Sequence, residues 1–171
     1  MSFFDRFKKK DERQVENLPI SANEIIVSPI TGEVRDIKEC EDQVFAQELV
    51  GKGLLIIPSE GKLYSPVDGE IAMPADTKHA VGFTSNTGVE VLVHVGLDTV
   101  ELEGAPYKAY ASQGDKVNKG DLILDFDISA IEAAGKSSQT PLLITNHEGK
   151  ELNILKNGSV SHGEDILEVI G

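Results

Sequence analysis

A short turn motif occurs twice in this chain, and it limits the fold more than any other feature. Ile26-Val-Ser-Pro-Ile-Thr-Gly-Glu-Val34 and Leu63-Tyr-Ser-Pro-Val-Asp-Gly-Glu-Ile71 match at Ser, Pro, Gly and Glu, offset by 37 residues. In each, Pro enters a turn, Gly leaves it, and apolar runs flank it, so each copy reads as two short strands joined by a tight corner. A second similarity links GDKVNKGDLILDF, from Gly114, to GSVSHGEDILEV, from Gly158; a weaker relative, DQVFAQELVGKGLLII, starts at Asp42. From Ile25 onward short β-runs follow one another between Gly and Pro. Two kinds of duplicated unit are too few for a solenoid. The expected fold is therefore all-β, an antiparallel β-sandwich of barrel-sandwich type with internal duplication and at most one or two short helices. The one helix with a sequence signature is Ser129–Lys136, with Ser129 as N-cap and Glu132 completing a capping box. No linker divides the chain after residue 20, so the pattern predicts one domain over 21–171.

The first segment, MSFFDRFKKKDERQVEN, differs from the rest. Phe3, Phe4 and Phe7 fall at helical spacing beside Arg6, Lys8, Lys9 and Lys10. Residues 1–20 are expected to form a mobile tail in solution, and residues 1–10 are an amphipathic candidate for peripheral contact with an anionic membrane. The chain as a whole is strongly acidic, with a formal net charge of −13, which argues against nucleic-acid binding and for a partner presenting basic residues. The lone Cys40 excludes an internal disulfide and fits a reducing compartment. Its neighbours Glu39 and Glu41 disfavour a thiolate, and with it a nucleophilic role. No apolar run approaches spanning length, and no signal-peptide core is present, so a soluble, cytoplasmic protein is expected. The Met start and the ending at Gly171 favour a stand-alone protein over a piece of a larger one.

Chemistry concentrates in TKHAVGFTSNTGVEVLVHVGLD, Thr77 to Asp98. Two β-branched runs flank Ser85-Asn86-Thr87-Gly88, a hairpin signal. A two-residue loop at Asn86-Thr87 sets His79 directly opposite His94, with Cβ atoms about 5 Å apart. Val89, Val91, Val93 and Val95 then form one apolar face; Glu90, Leu92 and His94 form the other, turned outward and joined by His79, Val81 and Phe83. Two imidazoles in an apolar patch are either a docking surface with reactive nitrogens or a packed, hydrogen-bonded pair without a task. His147 and His162, among Gly and acidic residues, are expected to be exposed surface residues.

A neutral imidazole can accept a phosphoryl group on a nitrogen, and a second imidazole can donate a hydrogen bond to the phosphoryl oxygens. A backbone carbonyl such as that of Gly96 would fix the tautomer. The alternative is zinc, for which His79 and His94 need a third protein ligand; Asp98 has suitable spacing. No HExxH or HxH element supports a metallohydrolase.

The run TKHA, then VHVGLDTVELEG with its His fifteen residues after the first, and the upstream SPVDGE resemble the glucose-type enzyme IIA of the bacterial sugar phosphotransferase system. The resemblance extends through SPITGEV, DQVFAQELVGKGLLI, GDKVNKGDLILDFD and TPLLITN, nearly the whole chain. Biotinyl and lipoyl carriers share the Gly-turn segments, but their Met-Lys-Met setting is absent. The resemblance implies an antiparallel β-sandwich that takes a phosphoryl group from the histidine-containing phosphocarrier protein, carries it as a transient phosphohistidine, and passes it to a cysteine of a permease IIB domain. It implies His94 as the acceptor, His79 as the second active-site histidine and Thr77 as a hydrogen-bonding neighbour. It further implies Val44, Phe45, Leu49 and Val50 as an apolar docking depression floored by Leu92 and bordered by Asp42 and Asp98. Such a surface also implies regulatory protein targets for the unphosphorylated form, including zinc bridged by the two histidines and a partner's carboxylate; no cofactor is required for carriage. Ala75 and Gln43 stand where relatives can carry apolar residues, which bears on partner preference.

Overall fold

Residues 23–74 and 78–171 are described by the computed structural model. The expected tail, Ala75 and Thr77 lie outside them. Fourteen short strands follow in order: β1 (Glu24–Val27), β2 (Gly32–Asp36), β3 (Lys52–Pro58), β4 (Lys62–Tyr64), β5 (Gly69–Pro74), β6 (Ala80–Ser85), β7 (Glu90–His94), β8 (Tyr107–Ala109), β9 (Lys116–Val117), β10 (Leu122–Phe126), β11 (Thr140–Ile144), β12 (Glu151–Ile154), β13 (Gly158–Val160) and β14 (Asp165–Ile170). All pairings between them are antiparallel, in one eight-stranded sheet, β13-β2-β3-β11-β7-β6-β5-β9, and two three-stranded sheets, β1-β14-β12 and β4-β10-β8. The small sheets contribute Ile26, Leu63, Leu124, Leu167 and Val169 to a core shared with Val34, Leu54, Ile56, Phe83, Val91, Val93 and Leu142 of the large one. The result is a β-sandwich.

The duplicated turns meet each other. Ser28 Oγ donates to the Ile30 carbonyl and Ser65 Oγ to the Val67 carbonyl, each at 2.7 Å. The two corners then exchange backbone bonds reciprocally: Val27 N–H to Pro66 O at 3.1 Å, and Tyr64 N–H to Pro29 O at 2.8 Å. The second repeat pairs with the first in the same way. Gly163 N–H donates to Ser28 O and Gly120 N–H to Ser65 O, while His162 N–H reaches Thr31 Oγ1 and Lys119 N–H reaches Asp68 Oδ1. The duplication in sequence is thus an approximate two-fold in hydrogen bonding.

The outer face of the large sheet carries a second cluster, made by Leu55, Leu92 and Leu143 under Ile37, Cys40 and Phe45, with Ala80 and Leu97 at its margin. Strands β3, β11 and β7 are therefore covered on both faces, and they read as near-continuous apolar runs. The covering segment contains the one-turn helix Gln43–Ala46, whose N-cap Asp42 accepts Val44 N–H at 2.9 Å. A second α-helix among the described residues is Ile128–Ala133, and its cap is not Ser129. Asp127, just after β10, takes that place, its carboxylate accepting Ala130 N–H at 3.0 Å.

The β6–β7 hairpin also departs from expectation. Its loop is Asn86-Thr87-Gly88, three residues long, because Gly88 takes a positive φ of 94° before Ser85 N–H closes on Val89 O at 2.8 Å. This slips the register by one, so Ala80 pairs with His94, Gly82 with Leu92 and Val81 with Val93. Val81 and Phe83 accordingly face the main core with Val91 and Val93, instead of sharing the His94 side.

Candidate functional site

His94 ends β7, and alternation places it with Leu92 on the outer face of the large sheet. Just beyond it the chain reverses through Gly96, at φ 85°. The Gly96 carbonyl lies 2.7 Å from His94 Nδ1. A carbonyl oxygen can only accept, so Nδ1 carries the proton and the ring's lone pair sits on Nε2. That carbonyl is itself anchored. The Leu97 N–H of the same peptide donates to Ser137 O at 3.0 Å, and Gly96 N–H donates to Gln139 O at 3.1 Å. No side chain fits at position 96, since a Cβ would lie 2.6 Å from Thr99 Cγ2. Behind the turn, the Val95 carbonyl accepts from Thr99 Oγ1 at 3.1 Å and from Tyr107 Oη at 2.7 Å.

His79 arrives by an irregular route. It precedes β6, and its carbonyl accepts Val95 N–H at 2.6 Å, so the slipped register continues through it. Regular alternation would therefore aim His79 into the main core beside Val95. Lys78, at φ 64°, breaks the strand geometry, and the ring meets His94 edge to face with centroids 4.9 Å apart. Phe45 packs against the same ring at 5.0 Å, tilted by 50°.

Both imidazoles are over nine-tenths buried, at 9% exposure for His79 and 8% for His94. Burial pushes each ring down to about 4; for His79 the neighbouring His94 adds to the effect, while for His94 the Gly96 hydrogen bond opposes it. Near pH 7 the site holds two neutral imidazoles with the acceptor nitrogen of His94 specified.

Around the pair, Val44 and Leu49 are exposed large apolar side chains, Val50 and Asp42 are partly buried, and Asp98 is exposed. Phe45 and Leu92 are buried beneath that surface, Phe45 as the contact to His94. Asp42 serves first as a helix cap. Glu90, expected to face outward, is 1% exposed. Val100, half-exposed in the turn after Asp98, and Gln139, which holds Gly96, carried no sequence signal. Among the described residues no group of three or more His, Cys, Asp or Glu side chains could hold a metal, so Asp98 does not complete a zinc site. Cys40 is buried, which pushes its thiol up. His162 is exposed and stacks on Tyr64 at 3.9 Å, whereas His147 is partly buried. An open groove along Glu60, Lys62, Tyr64, Lys108 and Asp125 contains neither His79 nor His94.

Residues 24–150 match the family described as phosphoenolpyruvate-dependent sugar phosphotransferase system, EIIA 1. Among known proteins, the chain is 44% identical over 147 residues to the PTS system beta-glucoside-specific EIIBCA component of Bacillus subtilis, and 43% identical over 147 residues to that of Halalkalibacterium halodurans. These alignments cover 85% of this chain but 24% and 23% of the relatives, so the chain spans about a quarter of their length. Among solved structures, glucose permease IIA from Mycoplasma capricolum superposes with a TM-score of 0.82 at 34% identity, covering 85% of this chain and 95% of that one. No helix among the described residues is long and apolar enough to cross a membrane. The match over most of the chain, the shared sandwich and the relatives agree: this chain belongs to the EIIA 1 family of the phosphoenolpyruvate-dependent sugar phosphotransferase system, as a glucose-family EIIA component.

Proposed function

We propose that this EIIA component carries its phosphoryl group on His94 Nε2. The observation that carries the reading is the 2.7 Å bond from His94 Nδ1–H to the Gly96 carbonyl, which leaves the lone pair on Nε2. In transfer, that lone pair forms the new N–P bond as the bond from phosphorus to the donor's histidine nitrogen breaks and the donor ring keeps the electron pair. Positive charge on the phosphorylated ring spreads to Nδ1–H, where the anchored carbonyl stabilises it. His79 donates a hydrogen bond to the phosphoryl oxygens and supports onward transfer; Thr77 is its proposed neighbour.

The donor is a histidine-containing phosphocarrier protein, steered by basic residues toward this acidic chain. The acceptor is a cysteine on a IIB domain of a glucose-family sugar permease; the relatives' names, beta-glucoside-specific and glucose permease, frame the choice of sugar. Val44, Leu49 and Val50, with Asp42 and Asp98, form the docking surface over Phe45 and Leu92. The carrier works in the cytoplasm, with membrane contact through residues 1–10 tested by co-sedimentation with anionic liposomes. Phosphorylation adds roughly −1.5 to −2 charge at this apolar face, so regulatory partners that need a dry contact, including any that share zinc with His79 and His94, bind the unphosphorylated form.

The test is phosphorylation from phosphoenolpyruvate through the general phosphotransferase enzyme and the phosphocarrier, then transfer to a panel of IIB domains. Acid-labile, base-stable label is expected on the wild type and none on His94→Ala. Label that survives this substitution overturns the assignment.

A further inference from the structure

Gln139 joins the two parts of the site that come from distant stretches of chain. Its backbone carbonyl accepts Gly96 N–H at 3.1 Å, next to the peptide that fixes the His94 tautomer. Its own N–H donates to Ser137 Oγ at 3.1 Å, and the Ser137 carbonyl holds the Gly96–Leu97 peptide itself. Its side chain turns the other way. Oε1 accepts Glu41 N–H at 3.0 Å and Nε2 donates to Glu41 Oε1 at 3.3 Å, a two-point clamp across 98 residues of sequence. Glu41 immediately precedes Asp42, the cap of the helix that presses Phe45 on His94 and exposes Val44.

We infer that Gln139 is a positioning residue that locks the docking helix Gln43–Ala46 in register with the phosphoryl acceptor, so that a protein donor seated on the helix is aimed at His94. The inference rests on the reading in which His94 accepts from a docked protein. In-line transfer requires phosphorus about 3–3.5 Å from Nε2, and a misplacement of about 1 Å can cost about a hundredfold. A docked protein inherits any shift of the helix relative to Gly96; a small donor that never touches the helix does not. The clamp therefore separates two donors that use the same nitrogen.

The experiment compares phosphocarrier-dependent phosphorylation with direct phosphorylation by phosphoramidate. Gln139→Ala is expected to lower the phosphocarrier-dependent kcat/KM by roughly 5- to 20-fold while the phosphoramidate rate stays within about twofold. Hydrogen exchange at the Glu41 amide should quicken in the same variant. Gln139→Glu sets a carboxylate against that of Glu41 and removes the donor, so it should fail similarly. Glu41→Gln combined with Gln139→Glu exchanges donor and acceptor and should recover most of the lost rate. Unchanged phosphocarrier-dependent transfer in Gln139→Ala overturns the inference, as does an equal loss with both donors or a double variant no better than Gln139→Glu alone. A wild type that takes phosphate from neither donor overturns the His94 reading itself, and the positioning role with it.

Discussion

His79 and His94 meet edge to face at 4.9 Å although they are not cross-strand partners; Ala80 is the residue paired with His94. Lys78, just before His79, adopts a positive φ of 64°, and the His79 ring leaves the alternation of β6 to reach His94. Non-glycine residues at such φ are uncommon and held by their surroundings, here by the Val95 N–H bond to the His79 carbonyl.

Under the proposed function the two rings have unequal tasks. His94 has its proton fixed by Gly96, whereas His79 reaches the same point only through its side chain. His79→Gln keeps a hydrogen-bond donor but loses the ring. It is expected to accept phosphate from the phosphocarrier and to deliver it to a IIB domain at least about tenfold more slowly, the order expected for losing one transition-state contact. Single-turnover transfer from isolated phosphorylated protein measures this; delivery at the wild-type rate removes His79 from the mechanism.

Burial sets the pH response. Both folded rings titrate near about 4, against 6.5 for the exposed group. The unfolded chain thus binds more protons between those values, and stability falls as pH drops from 6.5 toward 4. The loss is at most roughly 3 kcal/mol for each ring, and less than the sum for the coupled pair. Carboxylates held low by partners, such as Glu33 with Arg35 and Glu164 with Lys156, act at more acid pH. Urea midpoints at intervals across the range should show the decline in the wild type and a flatter profile in His79→Gln/His94→Gln. An equal slope in both would place the response elsewhere. Phosphoryl acceptance, which uses the neutral ring, should stay flat from about pH 6 to about pH 8.

What the sequence made legible was local. Alternation in VEVLVHV identified the valine face that packs in the core, and the Ser-Pro corners marked a duplication that recurs as paired hydrogen bonds. The hairpin register was missed because Gly88 lengthens the loop by one residue, and the turn cluster fits either length. Regular alternation in that register would take His79 out of the site; its ring reaches His94 because the strand geometry is not kept before Ala80, where Lys78 has a positive φ. The residues expected at a docking surface divide into exposed Val44 and buried Phe45 because a one-turn helix is too short for periodicity to report its faces. Gln139 was invisible, since its partner Glu41 is 98 residues away.

Gly96 bears two constraints at once, a positive φ and a wall at Thr99. Gly96→Ala is expected to destabilise the protein by about 1–3 kcal/mol, a strained left-handed alanine plus displacement of Thr99. It should also loosen the carbonyl that fixes Nδ1–H. Nitrogen chemical shifts of the His94 ring would then move from one dominant tautomer toward a mixture. A stable variant with unchanged ring shifts would show that the carbonyl tolerates the added methyl.

The paired corners give a final prediction about stability. Ser28 and Ser65 are both fully buried, and each bonds the carbonyl two residues on. Removing either hydroxyl leaves an equivalent carbonyl short of a donor, so Ser28→Ala and Ser65→Ala should each cost about 1–3 kcal/mol and resemble one another more than two unrelated buried serines would. The corners also hold each other, through Val27 N–H to Pro66 O and Tyr64 N–H to Pro29 O. A change that loosens one corner weakens the support of the other, and the double variant should depart from additivity by about 0.5 kcal/mol or more. Urea denaturation of the four proteins completes the cycle. Strict additivity would mean that the two corners, though bonded, fold and yield independently.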